Sequence, residues 1–212
     1  YVADPDAVPA TFYDGSSGGI WAAAPAYEWV ANPAGTAASW VSQPLSTDTV
    51  VIGPGSVDLW VRSSAEDTDL EVTLSEVRPD DTEVYVQSGW LRASRRALAP
   101  GSTETRPTHT HAEADAAPLP SDELTEVRIE LFPVAHAFRA GSRVRITVDE
   151  PGGNRPVWAF ETIADGETVE IAHDADHPSR VVLSVVDGVS VPPEPPACGS
   201  LRGQPCRPYA AG

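Results

Sequence analysis

The sequence predicts an all-β protein built around a jelly-roll β-sandwich. Three observations carry that expectation. Apolar and polar residues alternate with a period of two in several separate stretches. Turn signals rich in Gly, Pro and Asp separate those stretches at spacings of roughly ten residues. No stretch sustains the i, i+3, i+4, i+7 apolar pattern of an amphipathic helix.

Taken in chain order, residues 1–37 read as an irregular lead-in, because Pro5, Pro9, Pro25 and Pro33 interrupt any regular element. Its aromatics, Phe12, Tyr13, Trp21, Tyr27 and Trp29, are expected to pack on the sandwich or on an upstream domain. Residues 38–187 are expected to form the sandwich. Val57, Leu59 and Val61 face one way while Asp58, Trp60 and Arg62 face the other, which is the signature of a half-buried strand. The same alternation returns in Leu70, Val72 and Leu74, in Val127, Ile129 and Leu131, in Val144, Ile146 and Val148, and in Val181, Leu183 and Val185. Between them lie Gly53-Pro54-Gly55, Pro79-Asp80-Asp81, Ala140-Gly141, Pro151-Gly152-Gly153, Asp165-Gly166 and Asp187-Gly188. Residues 188–212 read as an exposed, Pro-rich tail. It carries the chain's two cysteines, Cys198 and Cys206, for which a small disulfide loop is favoured over two free thiols or a metal site.

Composition bounds the function. The chain of 212 residues is 41% hydrophobic and 21% charged, enough to bury a core without a cofactor. Its net charge is −17, and its 14 basic residues are all arginine with no basic cluster, which argues against nucleic acid. No apolar run of about 18 residues is present to span a membrane, and no signal peptide precedes Tyr1. With no methionine, even at position 1, the sequence reads as a piece of a longer protein. A disulfide favours an oxidising, extracellular setting.

Motifs for chemistry are sparse. Gly15-Ser16-Ser17-Gly18-Gly19 matches the G-x-S-x-G elbow in letters, but it lacks the hydrophobic strand before and the helix after that lift a nucleophile. His109 and His111 lie two residues apart on an extended segment and could share a metal with Glu113 or Asp115, but the flanking prolines favour a solvated connection. His136 reads as a hydrogen-bonded core histidine, and His173 and His177 as solvent-exposed. Asp67-Thr68-Asp69 and Asp80-Asp81 fall short of a calcium ligand set and read as Asx-turn caps. Arg143 and Arg145 share a strand face, where they either pair across strands with Glu126 or Glu130 or meet another domain.

Four segments in order carry a family likeness. They are Asp67-Thr68-Asp69-Leu70 through Val77-Arg78-Pro79-Asp80, Gly89-Trp90-Leu91-Arg92 through Arg96, Phe138-Arg139-Ala140-Gly141 through Val148, and His177-Pro178-Ser179-Arg180 through Leu183. Together they resemble the C-terminal domain of the X-prolyl dipeptidyl-peptidase and cocaine esterase (CocE/NonD) family of serine hydrolases. The likeness spans residues 1–187. Asp81, Ser142 and Ser184 depart from its pattern, as does Pro151 through Trp158.

That resemblance implies a galactose-binding-like sandwich without catalytic residues, bracing an upstream α/β-hydrolase domain that holds the serine, aspartate and histidine. The whole enzyme would cleave an ester, an amide or an X-Pro peptide, and this chain would help close its acyl pocket. Phe12 and Tyr13 would touch the substrate from the loop that approaches the active site, or would pack between domains. The alternative is a free-standing carbohydrate-binding module using Trp60, Trp90 and Trp158, or a purely structural one.

Overall fold

The computed structural model describes residues 1–9, 29–153, 161–201 and 203–211. Its strands are β1 (Ala37–Val41), β2 (Thr49–Ser63), β3 (Asp69–Val77), β4 (Thr82–Arg92), β5 (Thr125–Phe138), β6 (Arg143–Asp149), β7 (Val169–Ala172), β8 (Arg180–Val185) and β9 (Cys206–Pro208). All pairings are antiparallel, in a five-stranded sheet ordered β1-β6-β3-β4-β9 and a smaller sheet in which β2 pairs with β5 on one side and with β7 and β8 on the other. The two sheets form a β-sandwich.

The alternation read from the sequence is the alternation of the core. Val57, Leu59 and Val61 of β2, Leu70, Val72 and Leu74 of β3, and Val127, Ile129 and Leu131 of β5 are buried together with Phe138 and Val148. Each such side chain contributes about 1.5–3 kcal/mol when fully removed from water. Strands β1, β4, β7 and β9 lie outside the stretches singled out by alternation.

Two local features shape the sandwich. Between Gly53 and Gly55 the register of β2 jumps from Val134 to Leu131, so Phe132 and Pro133 form a bulge. Proline within a strand is tolerated at such a point because no ladder hydrogen bond is asked of it. Phe132 swings out against Trp90 of β4, with ring centroids 5.5 Å apart. One residue earlier on β4, a Cβ on Gly89 would stand 2.0 Å from the Glu130 carbonyl oxygen, so only glycine lets the two sheets approach there.

Residues outside the core stretches are also tied down. Val2 bridges Thr168, Ala3 N donates to the Glu167 carbonyl, and Ala3 and Val8 are buried. Within the Pro-rich tail, Cys206–Pro208 adds β9 to the edge of β4, and Cys198 and Cys206 form a disulfide with their Cα atoms 5.8 Å apart. Most of the tail before it, Pro192 to Ser200, is exposed.

Candidate functional site

The outward face of the five-stranded sheet is polar, yet buried. On β3, Glu71, Thr73 and Ser75 alternate with the core leucines and valine but are shielded from water. Residues 29–32 and the tail lie over them. Trp29 packs edge-on to Tyr85, the Arg207 guanidinium lies 3.8 Å over the Trp29 ring, and Asn32 donates to Asp149 at 2.7 Å. At the centre is Glu83, fully buried, which accepts from Ser75 at 2.7 Å, from Arg145 at 3.1 Å and from Arg207 at 2.9 Å. Arg207 also donates to the Val30 carbonyl.

Arg143 and Arg145 therefore do share a face, but their partners are not Glu126 or Glu130. Arg143 pairs with Asp81 at 3.0 Å and Arg145 with Glu83, because β6 lies in the other sheet from β5. Both guanidinium groups also lie about 5 Å from the centroid of the Tyr209 ring.

The smaller sheet carries a parallel arrangement on its own outer face. Asp58, buried on β2, accepts from Arg128 of β5 and Arg180 of β8, each at 3.1 Å, and from Ser56. Arg128 reaches on to the Glu104 carbonyl at 2.8 Å, which fixes the long connection between β4 and β5 over this face.

A third polar group bridges the sheets at one end of the sandwich. His136 Nε2 meets Glu76 Oε2 at 3.1 Å, as a hydrogen-bonded core histidine should. Burial alone would raise the Glu76 carboxyl, but hydrogen bonding and charge from His136, with the Arg139 backbone N–H, hold it below its usual value. Ser142 is wholly buried, and among the described residues its hydroxyl has no hydrogen-bond partner. A serine nucleophile needs the histidine hydrogen-bonded between serine and carboxylate, and no bond from Ser142 to the His136 imidazole is present among the described residues. The tail roofs a cavity of about 480 Å³ beside this pair, with Arg78 donating to the Pro196 carbonyl at 3.1 Å and Arg139 to that of Pro192.

Sequence reasoning missed Glu150. It directly follows β6, is 4% exposed, and among the described residues neither of its carboxylate oxygens has a hydrogen-bond partner. Burial, reinforced by repulsion from Asp69, Glu167 and Asp149, pushes its pKa up to about 8, so it is largely protonated at neutral pH. Arg92 opposes the shift but is committed to Asp69 through two bonds of 2.8 and 2.9 Å. Burial, with repulsion from Asp149, Glu150 and Glu167, raises the Tyr1 phenol. A run of charge at Asp149-Glu150 reads in a sequence as a solvated strand end, so nothing there signals it.

The remaining candidates are placed as follows. Asp80 caps its turn through Thr82 N at 3.0 Å, whereas Asp67 accepts from Thr68 N and Ser94 N, and Asp69 is the partner of Arg92. Of Asp67, Asp69 and Asp80, then, Asp67 and Asp80 accept from nearby backbone N–H groups, while Asp69 pairs with Arg92. His109 and His111 have ring centroids 5.9 Å apart, and burial holds His109 below its ordinary pKa. Among the described residues no group of three or more His, Cys, Asp or Glu side chains could hold a metal ion. His173 is exposed at the edge of Trp40, and His177 is half-buried against Trp60 with Asp174 at 3.3 Å. Phe12, Tyr13, the elbow around Ser17, Trp21, Tyr27 and Trp158 lie outside the described residues. No helix among the described residues is long and apolar enough to cross a membrane.

Solved structures with the same fold are parts of larger hydrolases. A CocE/NonD family hydrolase from Staphylococcus aureus superposes with a TM-score of 0.63 at 24% identity, over 71% of this chain and 30% of that one. An alpha-amino acid ester hydrolase gives 0.54 at 21% identity, over 71% and 26%. The class is therefore a β-sandwich domain that makes up a minor part of its relatives. Residues 22–182 match the family described as the X-Pro dipeptidyl-peptidase C-terminal non-catalytic domain, and the chain belongs to it. Cocaine esterase of Rhodococcus sp. (strain MB1 Bresler) is 30% identical over 151 residues, 66% of this chain and 24% of that protein. The chain thus spans about a quarter of the length of that curated relative.

Proposed function

We propose that the chain braces the α/β-hydrolase domain of a serine hydrolase of the X-Pro dipeptidyl-peptidase and acyl-esterase kind, and helps close its acyl pocket. The family match over residues 22–182 carries this reading. The chemistry of the whole enzyme would be acylation of a serine outside this chain, stabilisation of the oxyanion by backbone N–H groups, and hydrolysis by water. Its substrate would be an ester, an amide or an X-Pro peptide.

A contact face for the hydrolase domain is available where β2, β5 and β8 end together. Ile52, Phe132, Val185 and Val186 are all more than a third exposed there, and Val185 is the register partner of Val51 while Val186 N donates to the Val50 carbonyl. The Cys198–Cys206 disulfide supports an extracellular setting. Phe12 and Tyr13 would contribute apolar contacts to the substrate.

The test uses the full-length protein that contains this chain. Esterase or X-Pro peptidase activity is expected in the full-length protein and not in residues 1–212 alone, and activity in the short chain would overturn the reading. Ile52→Lys with Val185→Lys should weaken the full-length enzyme while leaving this sandwich folded. Phe12→Ala should change substrate preference, and unchanged preference would remove Phe12 from the pocket.

A further inference from the structure

The tail is joined to the sandwich through a bare connector. Strand β8 finishes at Val185, and Asp187, Gly188, Val189 and Ser190 follow it, all exposed. Among the described residues these four make no hydrogen bond. Gly188 has a φ of 74°, and nothing lies within 4 Å of the place a Cβ would take. Both halves of the disulfide, Cys198 and Cys206, lie beyond the connector. The bridge therefore knots the tail without tying it to β1–β8.

Beyond the connector the tail lies on the rest of the protein as a ligand would. Arg139 donates to the Pro192 carbonyl, and Arg78 to that of Pro196 at 3.1 Å. Tyr85 N donates to the Pro205 carbonyl at 3.0 Å, Tyr209 N to that of Asp81 at 2.8 Å, and Arg145 to that of Ala210 at 2.9 Å. Charge is complementary where Glu83 receives Arg207, its register partner, at 2.9 Å. One turn of the ladder further on, the Tyr209 ring lies beside the Arg143 and Arg145 guanidinium groups.

None of these bonds requires the tail and the sheet to belong to one chain. In a reciprocal exchange each sheet receives the other copy's tail, the same bonds form again, and only the connector changes shape. Reciprocity fills both docks, so the assembly closes at two copies. The sheet does not grow past the exchanged strand either, because β9 is its outermost strand, only three residues long, and ends on Pro208. Arg207 meets Glu83 across a separation of 124 residues. A pairing so distant forms late, since closing the intervening chain costs entropy first. During that interval the dock stands open to a neighbour.

We propose that this face docks the tail of a second copy of this chain, whose Arg207 then completes the site of Glu83 and Arg145. A dock built from Glu83, Arg143 and Arg145 fits an Arg-x-Tyr strand, and Arg207-Pro208-Tyr209 of the second copy supplies one. At micromolar concentration a chain's own tail prevails, because a short tether holds it at an effective concentration in the millimolar range. At millimolar concentration the two tails compete on equal terms. The exchange does not depend on the hydrolase reading.

The test refolds residues 1–212 from urea at millimolar and at micromolar concentration and weighs the products by native mass spectrometry. Dimer is expected from the concentrated sample alone. Deleting residues 187–190 removes the turn that brings the tail back onto its own sheet, and should give dimer at micromolar concentration as well. Glu83→Gln and Arg207→Met are then refolded together. Exchange between them rebuilds one complete site and gathers both faults in the other, so the mixed dimer should outnumber either unmixed dimer by about tenfold or more. The parent chain and the deletion carry the test by themselves should either substituted chain fail to fold. Monomer alone from the parent at millimolar concentration overturns the proposal. A mixed dimer no commoner than random pairing also overturns it, because the copies would then meet through another surface.

Discussion

Each sheet carries on its outer face a buried carboxylate held between two guanidinium groups, and the two clusters differ in how far water reaches them. Around Glu83 the side chains of Arg145 and Arg207 are 6% and 7% exposed, whereas around Asp58 that of Arg180 is 53% exposed. The first cluster has traded hydration for a lid made of Trp29 and the tail. The second keeps one arm in solvent. A charge left alone in a dry site has nowhere to turn, while one near the surface is rescued by water, so the same three-residue motif has different consequences on the two faces.

The largest predicted effect is at the dry cluster. Glu83→Gln should lower the unfolding free energy in a urea titration by about 3–5 kcal/mol, because both arginines are left buried without a carboxylate. Arg207→Met should cost about 3 kcal/mol by the same route, and a loss no larger than that of Arg180→Met would erase the contrast between the faces. Asp58→Asn is expected to cost less than Glu83→Gln, about 1–3 kcal/mol, since Arg180 can rehydrate; an equal loss would show that exposure of one arm is irrelevant.

Glu150 sharpens the comparison as an acid with no guanidinium of its own. Its folded pKa of about 8 lies above the ordinary 4.5, so the native state holds this proton more tightly than the unfolded chain does. Its contribution is fully present below pH 4.5 and is lost as the pH rises through about 8. Glu150→Gln should become progressively more stable than the parent across that window, with a difference that grows by no more than about 1.4 kcal/mol per pH unit. A pH-independent difference would mean that the carboxyl finds a partner on folding. Arg180→Met closes the series, with a predicted loss within about 1 kcal/mol.

How much of this was legible depends on which side of a strand is considered. The inward face of β3 announces itself through Leu70, Val72 and Leu74. Its outward face, Glu71, Thr73 and Ser75, carries the pattern of a solvated surface, and alternation alone has no means of revealing that another segment covers it. The covering residues lack periodicity: 29–32 follow a Pro-rich stretch, and β9 ends on Pro208. Arg207 therefore looks like one more tail charge.

Arg143 and Arg145 show the same limit from the other direction. Their shared face follows from parity, but their partners follow from strand order, which residue spacing does not encode.

The disulfide gives the lid a property that its hydrogen bonds do not. Cys206 immediately precedes Arg207, and Cys198 lies on the far side of an exposed loop. A protease that nicks the backbone anywhere between the two cysteines cuts the chain without freeing the strand, since the sulfur bridge still tethers it. Arg207 would stay on Glu83 after such a cut, and the clipped tail would part from the sandwich only when a reductant is added.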